Sequence, residues 1–457
     1  MVRSFSIILT LVVACGCAPL PPGVSLPEKR PLYREVPAPL PPETPSGLEA
    51  AEVGKGPAGE LTLRKAVAFA LLNNPALRAF SLEVRAAEAR ALQAGLLPNP
   101  EFGLEVEDVA GSGDRAGFKG SETTLQIGQL IELGGKPWKR RNVAQFEAKL
   151  SGWDYEAQRL AVITEVTKAF LAVLAAQERV SLLEKTVELA EKVLQAVAKR
   201  VAAGRESPLE RTKASVALAT SRTQLMQERK RLKAARIRLA ATWGGKAAAF
   251  TRAVGALEQI EPPPERSRIL AFIESNPLVA RWAAELERRR AQLALEKVKP
   301  IPDVTVFGGV RHYNETDGAG FIFGFALPIP IFNRNQGAIS AAEFEVAKAR
   351  YERRNVEARV YAAAVEAYQA LSAAYESAEA LRKEILPGAR EAFKAAQRAY
   401  QEGKTDYLGV LDAQRTYFEA RARYVGALSA YHSARARLEG LLGRTLSELR
   451  KQKKDDL

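Results

Sequence analysis

Cysteine, histidine and methionine are almost missing from this chain of 457 residues, which has two of each. Both cysteines, Cys15 and Cys17, lie near the N-terminus, and His312 and His432 are 120 positions apart. That inventory leaves no zinc site, no Cys/His catalytic pair and no disulfide framework, so no metal or other cofactor is expected. Asp/Glu pairs are common, but none lies on a loop with glycine-rich or histidine context. Gly134-Gly135 and Gly308-Gly309 lack a phosphate-loop sequence and read as turn or strand glycines. No enzymatic activity is expected. Also missing, beyond the N-terminal segment, is any run of 18 apolar residues. No transmembrane helix is therefore expected, and a part that spans a membrane would have to consist of strands.

Hydrophobic residues make up 47% of the chain and charged ones 26%, enough for a packed core. The net charge is +14. Basic residues alternate with acids, as in Glu184-Lys185 and Glu191-Lys192, rather than forming a stripe with interleaved aromatics. The charge therefore reads as solvated helix faces, and no nucleic-acid partner is expected.

Met1-Val2-Arg3 is a short positive region, and residues 4–13 form an apolar core too short to span a bilayer. Ala14-Cys15-Gly16-Cys17-Ala18 follows, small residues ending at a cysteine, and resembles a bacterial lipobox. Residues 1–17 read as a lipoprotein-type signal peptide with Cys17 as the acylated residue, or Cys15 in the alternative register. An ordinary signal peptide is the other reading. Eleven prolines between residues 18 and 60 exclude a helix and suggest an extended tether.

The rest is one unit written twice. Asn74-Pro75 recurs as Asn276-Pro277 and Pro100-Glu101 as Pro302-Asp303, both at an offset of 202. Ile131 and Lys136 match Ile329 and Arg334 at 198, and Gly204-Arg205 matches Gly403-Lys404 at 199. Near-constant offsets at separate places signal an internal duplication. Its modules span 61–262 and 263–445, leaving a charged tail at 446–457.

Each module has the same order. A helix comes first (61–94, then 267–298), two strands follow, then a very long helix (139–203, then 336–400), a break at glycine (Gly204, Gly403) and a shorter helix (209–243, then to 442). Val166, Phe170, Val173, Val180, Leu183, Val187, Ala190, Leu194, Val197 and Val201 step by threes and fours except for one gap at Gln177, the pattern of a coiled-coil seam. Pro387 is expected to kink the second long helix. About 64 helical residues span roughly 95 Å, and two helices of about 35 residues match that length end to end. A tall helical rod is expected.

The strands alternate. Phe102, Leu104 and Val106 share one face against Glu101, Gly103, Glu105 and Glu107; Leu125 and Ile127, Val304, Val306 and Val310, and Phe321, Phe323 and Phe325 repeat the pattern. Such strands suit an outer-membrane barrel, with a soluble sheet resting on the helices as the alternative. Four strands cannot close a barrel around a wet interior, and open edges are not tolerated in hydrocarbon. Several chains would have to share one barrel, and three would give twelve strands.

This order, with Leu71-Leu72-Asn73-Asn74-Pro75, Leu97-Pro98-Asn99-Pro100-Glu101 and residues 129–136 (QLIELGGK), resembles the TolC-type outer-membrane factor family over residues 60–445. Residues 327–337 (LPIPIFNRNQG), 399–403 (AYQEG) and 411–415 (LDAQR) look like its metal-efflux, CzcC/CusC-like branch. The resemblance implies a mainly α fold with membrane β: a long α-helical barrel, with four strands per chain in a shared 12-stranded barrel of a homotrimer. It implies an exit duct in outer-membrane lipid that docks on a periplasmic adaptor and an inner-membrane pump of the resistance-nodulation-division class. The glycine breaks Gly204 and Gly403 would mark the periplasmic tip. Arg205, Ser207, Glu210, Lys404, Asp406 and Asp412 would then sit where the pore narrows. Asp412 matches a lumenal acid of the family and Tyr400 a position in its gating network. Gly409 stands where relatives have a second acid. The alternative for each charge is an ordinary solvated helix face. The alternative for the whole chain is a periplasmic coiled-coil adaptor or scaffold lipoprotein.

Overall fold

A computed structural model describes residues 27–35, 56–402, 404–405 and 407–449. Cys15, Cys17, most of the proline-rich tether, Gly403, Asp406 and the tail from 450 lie outside the described residues. The strands are β1 (Gly59–Thr62), β2 (Glu101–Glu107), β3 (Glu122–Ile131), β4 (Phe250–Val254), β5 (Val304–Tyr313) and β6 (Gly318–Ala326). The helices are α1 (Leu63–Asn73), α2 (Pro75–Ala94), α3 (Lys136–Ala202), α4 (Pro208–Ala241), α5 (Arg266–Leu270), α6 (Pro277–Val298), α7 (Gln336–Ala380), α8 (Leu386–Gln401) and α9 (Tyr407–Leu442). Two compact units share them. One is built from Glu83–Gly152 and Arg281–Arg353, the other from Glu28–Leu82, Trp153–Ala280 and Arg354–Leu457.

Helix α3 has 67 residues, about 100 Å of helix at the standard rise. The expected seam is its buried stripe: Val166, Phe170, Val173, Val180, Ala190 and Val197 are buried, and Leu183, Val187, Leu194 and Val201 half-buried. The gap in that seam has a structural cause. The Gln177 amide donates to the Ala253 carbonyl and accepts from the Ala253 N–H, both at 2.9 Å, and so ties β4 to the helix. A window of 18 residues in α3 reaches a mean hydropathy of 1.6 and is 61% buried within the chain. By length and composition this helix could cross a membrane, which corrects the expectation that none qualifies. Its apolar residues instead face neighbouring helices.

The first helix of each module is shorter than expected. Residues 59–62 form β1, which pairs in parallel with β4, and Asn74 interrupts the expected helix 61–94 with an extended ψ of 119°. A proline at the next position disfavours the α region for the residue before it. Asn74 turns this to use: its side-chain oxygen accepts from the Leu77 N–H at 2.8 Å, and its amide donates to the Thr242 carbonyl just beyond α4 at 2.7 Å. The second module does the same. Asn276 accepts from the Leu278 N–H at 2.8 Å and donates to the Leu441 carbonyl at the end of α9 at 2.7 Å. There the expected helix 267–298 is divided into α5, a 3₁₀ turn at Ile273–Ser275 and α6. Both asparagines thus cap one helix while holding the end of another.

Pro387 does not break its helix. A π-helical turn at Leu381–Ile385 leads directly into α8, with the proline in its first turn. The wider turn accommodates the carbonyl that the ring would otherwise strike. Segment 27–35 is pinned to α3. The fully buried Arg159 pairs with Glu156 at 2.8 Å and donates to the carbonyls of Arg30 and Leu32 at 3.0 and 3.1 Å, while Leu32 N–H reaches the Gly443 carbonyl at 2.8 Å. The expected tail also begins later than 446, because Leu446 and Leu449 are buried in the core with Leu438 and Leu442.

Candidate functional site

Strands β2, β3, β5 and β6 form one antiparallel sheet in that order. Its register places Phe102, Ile127, Gly308 and Phe323 in one row, and Leu104, Leu125, Val310 and Phe321 in the next. Nothing among the described residues covers this face: Phe102 is 71% exposed, Phe321 74%, Phe323 81% and Phe325 70%. The opposite face is polar. Arg311 pairs with Glu107 and Glu122, each at 2.9 Å, and donates to the Thr124 hydroxyl at 2.9 Å. Phe307 shares that face, and its ring fills the space beside Gly324, where a Cβ would overlap it. A face of uncovered phenylalanines opposite a charged face is the outward-apolar, inward-polar pattern of a membrane barrel strand. The outer edges of β2 and β6 have no strand beside them among the described residues. In hydrocarbon their backbone groups would each cost several kcal/mol unless another strand paired them.

The other unit holds the residues expected at the tip. Helix α3 ends in a Schellman motif: Gly204, at φ 69°, donates from its N–H to the Val201 carbonyl at 3.0 Å, and Arg205 N–H reaches the Arg200 carbonyl at 2.9 Å. Only glycine adopts that φ without strain. The second break carries the same long bond, from Lys404 N–H to the Ala399 carbonyl at 2.8 Å. Ser207 caps α4, accepting from the Leu209 N–H at 3.2 Å. Beneath these turns α3, α4, α8 and α9 pack through Val197, Ala214, Phe393 and Val410, with the Phe393 and Tyr417 rings stacked 5.9 Å apart.

Three side chains clasp the two modules together here. The Arg200 guanidinium lies 4.3 Å from the centre of the Tyr400 ring, and its Nη1 is 3.5 Å from Glu206 Oε1. The Tyr400 hydroxyl donates to the same Glu206 oxygen at 3.3 Å. Burial raises the Tyr400 pKa, so the phenol stays protonated and able to donate. Of the expected site residues that are described, only Tyr400 joins this group. Glu210 pairs with Lys213 at 2.8 Å and Lys404 with Glu402 at 2.7 Å. Arg205 is exposed, and so is Asp412, between Leu411 and Ala413 of the packed cluster. Neither makes an ion pair among the described residues. Gly403 and Asp406 lie outside the description. Arg200 and Glu206 were missed by the sequence reading, and the repeat gave no signal for them: the positions 199 residues on are Ala399 and Thr405.

A family model described as outer membrane efflux protein matches residues 67–245 and 270–444. The chain belongs to that family. It is 36% identical over 388 residues to the cobalt-zinc-cadmium resistance protein CzcC of Cupriavidus metallidurans, covering 85% of this chain and 91% of that protein. The nickel and cobalt resistance protein CnrC of the same organism is 30% identical over 282 residues, covering 60% of this chain and 65% of CnrC. Among solved structures the fold is similar to CusC, with a TM-score of 0.72 at 18% identity, covering 84% of this chain and 92% of that one. The Neisseria gonorrhoeae outer-membrane channel MtrE gives 0.70 at 19% identity, covering 84% and 89%. This member of the family is accordingly an outer-membrane exit duct of the CzcC/CusC-like branch, the passive channel component of a tripartite efflux system. The adaptor alternative gives way to that assignment.

Proposed function

We propose that three copies of this chain close one twelve-stranded barrel in the outer membrane and export divalent transition-metal cations delivered by an inner-membrane pump and a periplasmic adaptor. The observation that carries this reading is the open four-stranded sheet with an uncovered phenylalanine face. Alone it has two unpaired edges, and three copies remove all six. The cargo rests on the full-length likeness to a cobalt-zinc-cadmium resistance protein, and a pump of the resistance-nodulation-division class is the partner that the family resemblance suggests. Arg200, Tyr400 and Glu206 hold the tip closed. Asp412, repeated three times by symmetry, lines its constriction with Arg205, Lys404 and Asp406, and sets ion preference. Glu210 and the turn glycines Gly204 and Gly403 shape that end. Acylation of Cys17, or Cys15, adds a lipid anchor to a barrel that holds itself in place.

Fractionation and native mass measurement test this directly. The protein is expected in the detergent-resistant outer membrane with the mass of three chains, and a strain lacking it should lose growth in cobalt, zinc or cadmium. Recovery as a soluble periplasmic monomer would end the reading. Replacing Cys15 and Cys17 together by serine should abolish acylation and leave the trimer intact. A lipid label that survives the double substitution would refute the anchor.

A further inference from the structure

Two neighbouring arginines in the helical unit have no counter-ion. Arg30 lies on the segment 27–35 that is pinned to α3, and Arg444 lies just past the end of α9. Both flank the turn at Gly443, which has a φ of 64°, and a Cβ there would come within 2.9 Å of the Arg30 Cβ. The bond from Leu32 N–H to the Gly443 carbonyl, at 2.8 Å, fixes this approach. Each guanidinium lies over an aromatic ring, Arg30 at 5.1 Å from the centre of Trp153 and Arg444 at 4.6 Å from that of Phe272. Such a contact holds a guanidinium in place but satisfies none of its N–H groups.

Those N–H groups find no acceptor within the fold. The Nε atoms of both residues are shut away from solvent without a hydrogen-bond partner, and neither side chain makes an ion pair among the described residues. The acids near them are engaged elsewhere. Glu156 pairs with Arg159 at 2.8 Å and takes the Arg30 backbone N–H at 2.7 Å. Glu28 pairs with Arg34 at 2.6 Å and Glu439 with Arg435 at 3.0 Å, while Glu448 accepts from the Thr445 N–H at 3.0 Å. Burial lowers the Arg30 pKa and the Arg444 charge lowers it further, against the opposing pull of Glu156. Like charges brought together with buried, unpaired donors are costly unless an acceptor of opposite charge joins them.

We infer that Arg30 and Arg444 form a binding site for a phosphate group. Two guanidinium edges offer more donors than the two coplanar oxygens of a carboxylate can take, whereas a phosphate presents three or four oxygens and close to two negative charges. A bound phosphate joins segment 27–35 to the end of α9, and so strengthens the attachment of that segment to the helices. The group can come as free phosphate or as the ester at one end of a larger envelope molecule.

Equilibrium dialysis of the purified full-length protein in detergent, against radiolabelled inorganic phosphate at constant ionic strength, tests the site. One phosphate should bind per chain, and acetate at equal concentration should compete at least about tenfold more weakly. Arg30→Gln and Arg444→Gln should each weaken phosphate binding by about tenfold or more. Arg30→Lys keeps the charge without the planar fork, and should lose part of the affinity while leaving the melting temperature in chloride unchanged. Phosphate should also slow protease cleavage within residues 27–35 of the unaltered chain and not of the Gln variants. Glycerol 1-phosphate separates the two sources: an ester that binds as well as phosphate points to a larger molecule, and one that is excluded points to the free ion. Phosphate binding no stronger than acetate, or unchanged in both Gln variants, overturns the site.

Discussion

Removing the Arg200 side chain should unlatch the tip. Four contacts end at or beside it, the weakest a 3.5 Å bond from Nη2 to the Tyr400 carbonyl. A guanidinium 4.3 Å from the Tyr400 ring centre in a half-buried site contributes about 1 kcal/mol. The pair with Glu206 at 3.5 Å, with side chains 34% and 19% exposed, adds under about 1 kcal/mol after solvent screening. The Tyr400–Glu206 hydrogen bond, long at 3.3 Å, survives the substitution but loses the cation that orients its acceptor. Arg200→Ala therefore costs the closed state about 1.5 kcal/mol per chain. If three chains open together the total is about 4.5 kcal/mol, roughly a thousandfold in the closed-to-open ratio. The assay is single-channel recording of purified trimers in a planar bilayer, read as open probability rather than conductance. Arg200→Lys keeps the charge but loses the flat stacking surface, and should fall between. Raising salt from about 0.1 to 1 M shortens the screening length from about 10 to 3 Å and should weaken the Glu206 pair while sparing the ring contact. An Arg200→Ala trimer that stays as closed as the unaltered one would refute the clasp.

Other outcomes follow from single groups. Asp412→Ala should raise single-channel conductance or change its cation preference, and unchanged values of both would remove Asp412 from the constriction. Arg159→Ala strands the nearly fully buried Glu156 and releases the carbonyls of segment 27–35, so the melting transition in detergent should lose about 3–5 kcal/mol and protease should reach that segment. Its partial rescue by the added change Glu156→Gln separates the lone charge from lost packing. His432 donates from Nε2 to the Leu257 carbonyl at 2.8 Å, and burial, followed by the nearby Arg435 charge, lowers its pKa below 6.5. The folded state holds it neutral, so its contribution is full above pH 6.5 and is lost as pH falls through the lowered value. His432→Gln should flatten the acid limb of the melting temperature below pH 6.5, and an unaltered limb would exclude this histidine as its source.

What the sequence could say was decided by whether a signal is periodic or singular. The seam of α3 and the four alternating strands were legible because burial on one face imposes spacing along the whole element. Gln177 and Asn74 were legible only as irregularities, a gap in the seam and a repeated dipeptide. Each turned out to be a side chain bonded to distant backbone, a role that leaves no period. The expected first helix starts at Leu63 and not at Leu61 because β1 takes residues up to Thr62 to pair with β4, nearly two hundred residues away, and no local propensity reports such a partner. Tyr400 was found through the family resemblance, as a match to a position in its gating network. Arg200 and Glu206 were not, since a charge on a helix already rich in Glu and Lys has no local mark that it will meet an aromatic ring.

The two modules differ in where they have drifted apart. In the unit with the sheet, the charges of the Lys136–Asp303 bridge have counterparts of the same sign in Arg334 and Glu101. A closed barrel needs equivalent joints around its rim, because one weaker seam exposes a strand edge to lipid. In the other unit the clasp of Arg200, Glu206 and Tyr400 has only Ala399, Thr405 and Val201 as its counterparts at an offset of 199. In the proposed trimer half of the module joints would then carry the clasp and half would not. An assembly that must yield at its tip gains from that inequality, since the unclasped joints are free to part first while the clasped ones keep each chain's own helices together. On the proposed reading, the duplication is preserved where the channel must stay sealed and broken where it must open.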